Sequence, residues 1–447
     1  MLRKLVKAVI PRKLFQVIEP TGHLLEAVLW QVVEGFPARG LKVIGVTGTN
    51  GKTTTSFMIH RMLHEAGYKV GMMTTVGYGV NGMVEPQMTH MTTMPTRPML
   101  RRIKGMKAEG IEWLVLETTS HALAQNRVWG VPYSVGVFTN LTHEHLAYHG
   151  TFERYREAKV KLFRMVSANG HGLRAGVVNA DDPSAPYFAA AVPNVVRYGL
   201  KQAQSELKAH KVKIGATGSE YEVKYDGVPL KVRVPLAGGF NVYNSLAAAG
   251  VGLVLGLKGE EVARGIAKVT AVEGRMERIE EGQDFVAMVD YAHSPDSFEK
   301  LFSELRPLVK GRIIAVFGSQ GRTGDVGKRA IQGKIAGKYA DLVVLTEEDD
   351  RGEDGMSILE RIAEGAESSG KVRDKDLKLI LDRPAAIQYA VDAARTGDMV
   401  VFLGKGHEKT IERRADGEEP WDEAGEVSKA LRARLKREKA RGGRRAA

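Results

Sequence analysis

The sequence predicts an α/β protein with two domains, each built on a parallel sheet that helices cover on both faces. Its 447 residues exceed what one ordinary hydrophobic core takes up. Short apolar segments alternate with helical patterns along most of the chain, and this alternation restarts near residue 276. A hydrophobic content of 43% with 26% charged residues is typical of a globular protein.

The first domain is predicted to span residues 41–275. Its strands are the apolar segments at 41–46, 113–118, 134–140 and 175–180. Segments that are apolar along their whole length are buried on both faces, which is typical of parallel sheets. Residues 207–236 instead alternate in polarity and contain Asp226-Gly227, which predicts a hairpin in a small antiparallel insert.

The second domain is predicted to span residues 276–425. Its strands are expected at 285–290, 312–318, 341–346 and 398–404, with helices between them. Residues 1–40 are predicted to form a reduced helical N-terminal segment with a helix at 22–35. Residues 426–447 are predicted to form a basic helical tail.

The net charge of +12 lies mainly at the two ends of the chain. Residues 1–13 carry five Lys or Arg and no acid, and residues 429–447 carry nine against Glu438. The body between them is nearly neutral, which argues against nucleic acid as a partner. We expect a solvated tail, with weak peripheral membrane contact through the basic ends as the alternative. One face of residues 1–10 is apolar, and docking on the protein's own body is favoured over a membrane surface.

The composition also limits the cellular compartments and the types of catalytic and metal-binding group that can be expected. The chain contains no cysteine, which excludes disulfides, thiolate nucleophiles and Cys-ligated zinc. No segment approaches the ~20 apolar residues that span a bilayer, and no signal peptide is recognisable. We therefore expect a cytoplasmic protein.

The strongest local motif is a glycine-bearing loop between the first strand and a helix. Glycines let several backbone N–H groups converge on phosphate oxygens, a lysine adds a cation, and a hydroxyl ligates Mg²⁺. The residues expected to bind ATP here are Gly48, Thr49, Asn50, Gly51, Lys52, Thr53 and Thr54. The fold expected is a central P-loop ATPase domain with a parallel sheet, followed by a Rossmann-like α/β domain.

Seven segments then match one family in order. They are GVTGTNGKT (45–53), ETTSHALAQNRVWGV (117–131), FTNLTHEHLAYHGTFERYREAKVKLF (138–163), GGFNVYNSLAA (238–248), EGRMER (273–278), DYAHSPDS (290–297) and GKGHE (404–408). Over residues 40–425 the chain resembles the Mur ligases, and most closely the UDP-N-acetylmuramoyl-tripeptide synthetases. The resemblance implies ATP- and Mg²⁺-dependent addition of meso-diaminopimelate or L-lysine to UDP-MurNAc-L-Ala-D-Glu through an acyl phosphate.

The resemblance also implies roles for individual residues. The catalytic set is Lys52, Glu117, His145 and Lys159. The metal ligands are Thr53, Glu117, His145 and, if it is carbamylated, Lys159. The acceptor would be bound by Thr92, Thr93, Thr119, Gln125 and Arg127. In the second domain, near the domain junction, the adenosine side of ATP would be bound by Asn241, Asn244, Arg275, Asp290 and His293. The incoming amino acid would be bound by Arg322, Glu348, Asp349, Arg351, Gly404 and Glu408.

Three departures from the family leave alternatives open. Glu348–Arg351 replaces the usual DNPR: Arg351 favours diaminopimelate, whereas the extra carboxylate of Asp349 favours any second ammonium. The segment 318–329 differs in spacing, which weakens the assignment of Arg322. Only about 40 residues precede the first strand, where the family has a uridine-binding domain. A sister ligase, folylpolyglutamate-like or of the pseudomurein type, and an ATP-binding scaffold are the competing hypotheses. A monomer is expected.

Overall fold

The structure, a computed structural model, describes residues 12–87, 91–215, 217–322, 326–413 and 417–443. The chain forms two compact units. The first unit holds the described residues up to Lys213 together with 220–234 and 240–269. The second unit holds 214–219, 235–239 and the described residues from Thr270 onward.

An eleven-stranded sheet forms the first unit, in the order β11-β10-β9-β8-β7-β6-β1-β5-β2-β3-β4. Its strands are β1 (Lys42–Thr47), β2 (Val70–Met73), β3 (Gly77–Val80), β4 (Met83–Pro86), β5 (Trp113–Glu117), β6 (Tyr133–Phe138), β7 (Ala175–Asn179), β8 (Asn194–Gly199), β9 (Leu207–Gly215), β10 (Gly218–Tyr225) and β11 (Val228–Val234). The four strands predicted for this unit correspond to β1, β5, β6 and β7.

Nine helices are described in this unit. They are α1 (Arg12–Glu34), α2 (Lys52–Glu65), α3 (Thr96–Ala108), α4 (Ser120–Ala124), α5 (Leu146–His149), α6 (Phe152–Ala168), α7 (Ala185–Ala189), α8 (Phe240–Val254) and α9 (Gly259–Ala267). No helix among the described residues is both long and apolar enough to cross a membrane. The apolar face predicted for residues 1–10 lies outside the described part of the chain.

The register of the central strands determines at which edge of the sheet the candidate site lies. β1 lies between β5 and β6 and is parallel to both, with Val46 opposite Glu117 and Thr47 opposite Phe138. The carboxyl ends of these three strands therefore meet at one edge of the sheet. In open α/β sheets this edge is where ligands bind.

The hairpin predicted from Asp226-Gly227 is present, and it joins the main sheet. Asp226 and Gly227 have φ values of 45° and 80°, the conformation that a two-residue turn between β10 and β11 requires. β9 pairs in parallel with β8, with Tyr198 opposite Leu207, so β9, β10 and β11 extend the main sheet. Pairing between distant strands has no local sequence pattern, so the sequence did not predict that the hairpin joins the main sheet.

The second unit has a six-stranded sheet in the order β12-β13-β17-β14-β15-β16. Its strands are β12 (Glu277–Ile279), β13 (Val286–Asp290), β14 (Ile313–Phe317), β15 (Leu342–Leu345), β16 (Leu377–Leu379) and β17 (Met399–Leu403), with a hairpin of β18 (Thr410–Glu412) and β19 (Glu418–Pro420). Only β12 runs antiparallel to its neighbour in the six-stranded sheet. The helices are α10 (Pro295–Leu305), α11 (Lys328–Tyr339), α12 (Gly355–Glu367), α13 (Arg383–Ala393) and α14 (Glu423–Gly443), with a 3₁₀ turn at Arg306–Leu308.

The last helix differs from the solvated tail that the charge count favoured. α14 begins at Glu423, so the predicted boundary after residue 425 falls inside it. Val427 and Leu431 are fully buried in the core of the second unit, beside Trp421 and Phe402. The first turns of α14 therefore belong to the folded body, because their apolar face completes that core.

Candidate active site

The predicted phosphate loop is a tight turn that joins β1 to α2. Gly48 and Gly51 have φ values of 150° and 82°, a region that residues with a side chain rarely adopt. A Cβ on Gly51 would lie 2.3 Å from Asn244 Oδ1, and one on Gly48 would lie 1.9 Å from Thr139 Oγ1. Both glycines are therefore required by conformation and by space.

Residues at the end of β6 hold the loop in shape. Asn140 Oδ1 accepts from Asn50 N at 3.0 Å, and Asn140 Nδ2 donates to Asn50 O at 2.9 Å. Thr139 Oγ1 also donates to Asn50 O, at 2.7 Å. Thr139 and Asn140 lie in the FTN part of a matched segment, but no role was predicted for either residue. Their position at a strand end beside the loop was the available signal.

Glu117, at the end of β5, is buried and meets the hydroxyl at the start of α2. Glu117 Oε2 accepts from Thr53 Oγ1 at 3.0 Å and from Thr75 N at 3.0 Å. Thr75 Oγ1 lies 3.1 Å from the same carboxylate oxygen and 3.0 Å from Thr92 Oγ1. The structure thus brings together Thr53 and Glu117 as predicted, and adds Thr75, which no sequence motif identified.

The residues predicted to bind the acceptor also lie together beside Glu117. Thr93 Oγ1 donates to Glu117 O at 3.0 Å and lies 3.2 Å from Thr119 Oγ1. Arg127 Nη1 donates to Thr93 O at 2.7 Å, and Arg127 Nε donates to Gln125 Oε1 at 2.7 Å. Hydrogen bonds therefore connect these threonines and the arginine to the strand that carries Glu117.

Two lysines lie at the phosphate loop. Lys159, on α6, is buried, and its Nζ donates to Gly48 O at 2.6 Å. Burial, reinforced by the neighbouring charge of Lys52, holds the pKa of Lys159 well below its ordinary value. Lys52 Nζ donates to Thr49 O at 2.8 Å. A neutral amine at Lys159 is thus favoured next to a loop suited to anions.

His145 lies in a group of imidazoles near the same edge. Its side chain is 45% exposed, and its ring centroid is 4.7 Å from that of His121. Burial lowers the pKa of His121 to about 3 and that of His149 to about 4, so both are neutral at physiological pH. Within the described residues, no three His, Asp or Glu side chains form a metal-binding group. His145 as a metal ligand stays a prediction.

Asn241 and Asn244 do not lie in the second domain, where they were grouped by sequence. Both are on α8 of the first unit. Asn244 Oδ1 accepts from Thr55 Oγ1 at 3.3 Å, and Asn244 Nδ2 donates to Asn241 Oδ1 at 2.9 Å. Both residues also fall within residues 41–275, the predicted first domain, so grouping them with the second domain was wrong.

The other residues predicted to bind adenosine lie in the second unit, where Arg275 precedes β12, Asp290 ends β13 and His293 follows it. The Arg275 guanidinium lies 4.5 Å from the ring centroid of Tyr291. Asp290 accepts hydrogen bonds from two backbone N–H groups, each at 2.8 Å, while burial raises its pKa. His293 Nδ1 lies 2.8 Å from Tyr291 O. The Arg275 guanidinium and the His293 imidazole thus both lie against the Tyr291 ring, whose centroid is 4.7 Å from that of His293.

The residues predicted to bind the incoming amino acid include a buried cluster of charged side chains. Lys405, which sequence reasoning overlooked inside GKGHE, donates from Nζ to Asp349 Oδ1 at 2.8 Å and to Glu408 Oε2 at 2.7 Å. Burial alone would lower the pKa of Lys405, but Glu408 and Asp349 more than offset this and raise it. Arg351 Nε donates to Glu412 Oε2 at 2.9 Å. The extra carboxylate of Asp349 is thus already paired with an ammonium of the same chain.

Glu348 is the other buried carboxylate of this cluster. Burial raises its pKa, and its Oε1 accepts no hydrogen bond from any described residue. A Cβ on Gly404 would lie 2.4 Å from Glu348 Oε2, so a glycine is needed beside this side chain. Arg322 is placed by a bond from its backbone N to Glu353 Oε2 at 3.0 Å, and its guanidinium lies beside Gly352.

Comparison with known proteins identifies the family. The Mur ligase middle domain matches residues 46–252, and the glutamate ligase domain of Mur ligases matches residues 274–406. A UDP-N-acetylmuramyl-tripeptide synthetase of Roseiflexus sp. (strain RS-1) is 40% identical over 423 residues, which cover 92% of this chain and 82% of that protein. The chain belongs to the Mur ligase family, as the motifs indicated. Members of this family are ATP-dependent, Mg²⁺-using ligases, and this chain is an ATP-dependent ligase.

Three further proteins resemble this chain in sequence or in fold. A UDP-N-acetylmuramoyl-L-alanyl-D-glutamate--2,6-diaminopimelate ligase of Syntrophomonas wolfei is 39% identical over 379 residues, 84% of this chain and 75% of that protein. A solved structure of a ligase with the same name has a TM-score of 0.63 at 30% identity, covering 94% of this chain and 83% of that one. A folylpolyglutamate synthase of Mycobacterium tuberculosis has a TM-score of 0.68 over 85% of this chain and 92% of that one, but only 17% identity, which shows the fold alone.

Proposed function

We propose that this ligase adds a diamino acid, meso-diaminopimelate or L-lysine, to UDP-MurNAc-L-Ala-D-Glu in peptidoglycan precursor synthesis. One observation carries the proposal. Hydrogen bonds run without a break from Thr53 at the phosphate loop through Glu117 and Thr93 to Arg127. Groups suited to phosphate and groups suited to an anionic acceptor are therefore contiguous, as transfer of a phosphoryl group to the acceptor requires.

The phosphate loop would hold ATP, and the pair formed by Thr53 and Glu117 fits a magnesium ion. A hydroxyl and a buried carboxylate are hard oxygen donors, the ligands that Mg²⁺ prefers. A bound Mg²⁺ would neutralise phosphate charge during the reaction. Lys52, at the start of α2, would add a second positive charge at the same phosphates.

The acceptor would be held by the threonine and arginine cluster. Arg127 is fixed by its bonds to Thr93 O and Gln125 Oε1, so its guanidinium is oriented before any ligand binds. In the reaction, a carboxylate oxygen of the acceptor forms a bond to the γ-phosphorus of ATP, and the bond from that phosphorus to ADP breaks. The amino group of the diamino acid then attacks the acyl carbon, phosphate leaves, and the nitrogen loses a proton.

We propose further that Lys159 is carbamylated. Its neutral amine would form an N–C bond to carbon dioxide and lose a proton, which converts a buried uncharged group into an anion. Burial and the lowered pKa favour the neutral amine that this step needs. The carbamate would then help His145 to support a second metal ion. Removing carbon dioxide from the buffer should lower activity and adding bicarbonate should restore it; unchanged activity would argue against the modification.

The carboxylates of the second unit would bind the diamino acid. Glu348 Oε1 is buried and without a hydrogen-bond donor among the described residues, and Glu408 is the last residue of GKGHE. A bound ammonium group would stabilise the ionised carboxylate of Glu348, which burial disfavours. Arg351 would bind the distal carboxylate if the substrate is diaminopimelate. An assay that offers L-lysine and meso-diaminopimelate separately decides between the two diamino acids.

The test is phosphate release from ATP with the acceptor and each diamino acid offered separately. We expect release only when ATP, acceptor and one diamino acid are all present. Glu117→Gln should abolish it, whereas Glu109→Gln, at an exposed position, should not. Release with a folate or a pseudomurein-type peptide, but not with the muramoyl dipeptide, would overturn the proposal in favour of a sister ligase. We also propose that the protein acts as a monomer in the cytoplasm, and light scattering of the purified chain tests the first point.

A further inference from the structure

Tyr291 and Glu408 lie at the same edge of the six-stranded sheet. β13 and β17 are adjacent and parallel, with Asp290 opposite Leu403 in the last pair of the register. Tyr291 is the first residue after β13, and residues 404–408 are the first segment after β17. Because parallel strands end at the same edge of a sheet, these two segments lie side by side.

The backbone of Tyr291 is fixed by this neighbouring segment and by the turn before β12. Tyr291 N donates to Gly274 O at 2.9 Å. Gly406 has a φ of 50°, and a Cβ added to it would lie 2.7 Å from Tyr291 Cβ. A residue with a side chain would therefore clash at this position. The close approach packs the segment after β17 directly against Tyr291.

The ring of Tyr291 is held by a cation and two imidazoles. The Arg275 guanidinium lies 4.5 Å from its centroid. The ring centroids of His293 and His407 lie 4.7 Å and 4.8 Å away. All three contacts are made with the aromatic ring, so a phenylalanine at this position would keep them.

The hydroxyl of Tyr291 contacts the carboxylate of Glu408. Tyr291 Oη donates to Glu408 Oε1 at 3.2 Å, and Lys405 Nζ donates to Glu408 Oε2 at 2.7 Å. Burial, reinforced by the charge of Glu408, raises the pKa of Tyr291 above its ordinary value, so the hydroxyl keeps the proton that it donates. The side chains of Glu408 and Lys405 are 8% and 0% exposed, so little water competes for these bonds.

We propose that Tyr291 is a positioning residue for the diamino acid. A carboxylate that is held at one oxygen can still turn about its last side-chain bond, and a donor at the other oxygen removes this freedom. The Tyr291 hydroxyl would thereby orient Glu408 towards the incoming ammonium group. Because Lys405 also donates to Asp349 Oδ1, one cation is shared by two carboxylates, which leaves the cluster suited to a further cation. The inference rests on the proposed function, in which Glu408 binds the diamino acid.

Tyr291→Phe tests the proposal because it removes the hydroxyl and keeps the ring. Phosphate release would be measured at saturating ATP and UDP-MurNAc-L-Ala-D-Glu while L-lysine and meso-diaminopimelate are titrated separately. The KM for the diamino acid that the wild type uses should rise about tenfold, since a hydrogen bond to a charged group is lost. The KM for ATP should stay at the wild-type value, because the ring contacts of Arg275 and His293 remain.

The matched control is Tyr225→Phe. Tyr225 Oη donates to Leu257 O at 2.9 Å within the first unit, so this variant also removes a buried hydroxyl bond. It should leave every KM unchanged. A double-mutant cycle uses Glu408→Asp, which keeps the charge but withdraws it from the hydroxyl. Adding Tyr291→Phe to Glu408→Asp should raise the KM for the diamino acid no further.

The outcomes separate this proposal from that of the ligase reaction. A wild-type KM for the diamino acid in Tyr291→Phe would overturn the positioning role, and so would an equal rise in the control or a full additional rise beside Glu408→Asp. Loss of the native circular dichroism in Tyr291→Phe would show that the hydroxyl is structural, which also overturns it. Absence of phosphate release by the wild type with either diamino acid would instead overturn the proposed function, and this inference with it.

Discussion

Replacing Glu423 by glutamine should strongly destabilise the second unit. Arg383 on α13 and Glu423 at the start of α14 have side chains with no exposure to solvent. Arg383 Nη2 donates to Glu423 Oε1 at 2.6 Å, and Arg383 Nε donates to Oε2 at 2.8 Å. Trp421 Nε1 also donates to Oε2, at 2.8 Å. The glutamine would keep the shape of this side chain but leave the guanidinium without its counter-charge.

The expected loss of folding free energy follows from the burial of the ion pair. Removing one partner of a buried ion pair costs about 3–5 kcal/mol, because the other charge stays buried and uncompensated. For a folding unit of this size each kcal/mol shifts the melting temperature by roughly 2–4 °C. The transition of the second unit should therefore fall by roughly 6–20 °C.

Differential scanning calorimetry of the full chain measures this shift. The matched control is Arg432→Gln, which removes a surface pair with Glu281 in which Arg432 is 70% exposed. That control should cost no more than about 1 kcal/mol. If Glu423→Gln shifts the transition no further than the control does, the pair is not structural and α14 is not part of the folded body.

Three further predictions concern the phosphate loop, the buried lysine and acid stability. Gly51→Ala should abolish ATP binding in calorimetry while the circular dichroism stays native, because its Cβ would lie 2.3 Å from Asn244 Oδ1; normal affinity would contradict the loop geometry. Lys159→Arg introduces a guanidinium that cannot be carbamylated, so turnover should fall by at least about tenfold, and full activity would exclude the modification. Arg329 holds the pKa of Glu353 at about 2, below its ordinary 4.5, so this carboxylate stabilises the fold above pH 4.5 and loses that effect as the pH falls towards 2. In urea titrations Glu353→Gln should lower stability at pH 7 and flatten its decline over that window, and an unchanged pH profile would contradict the assignment.

The contact between Thr53 and Glu117 was predictable because it depends on topology. Parallel strands end at the same edge of a sheet, so a loop after β1 and a carboxylate at the end of β5 must lie close together. The order of the motifs was enough to expect this. Thr75 was not predictable, since its two contacts with Glu117 depend on where the segment after β2 turns, and no local pattern specifies that turn.

The count of charges along the chain did not show that the first turns of the last helix are buried. The nine basic residues at 429–447 suggested a solvated tail, yet Val427 and Leu431 complete a core, and Arg383 fixes the first turn through Glu423. Spacing of apolar residues, rather than net charge, was the signal to weigh. Lys405 escaped notice for a related reason, because the sequence does not reveal that two carboxylates surround it in a buried cluster.

The mass of the reaction product tests the central claim most directly. The chain would be incubated with ATP, Mg²⁺, UDP-MurNAc-L-Ala-D-Glu and an equal mixture of L-lysine and meso-diaminopimelate, and the nucleotide products would be separated and weighed by mass spectrometry. The proposal predicts a product heavier than the acceptor by one diamino acid less one water, together with one ADP. ATP consumption that leaves the acceptor mass unchanged, or no consumption at all, would contradict it.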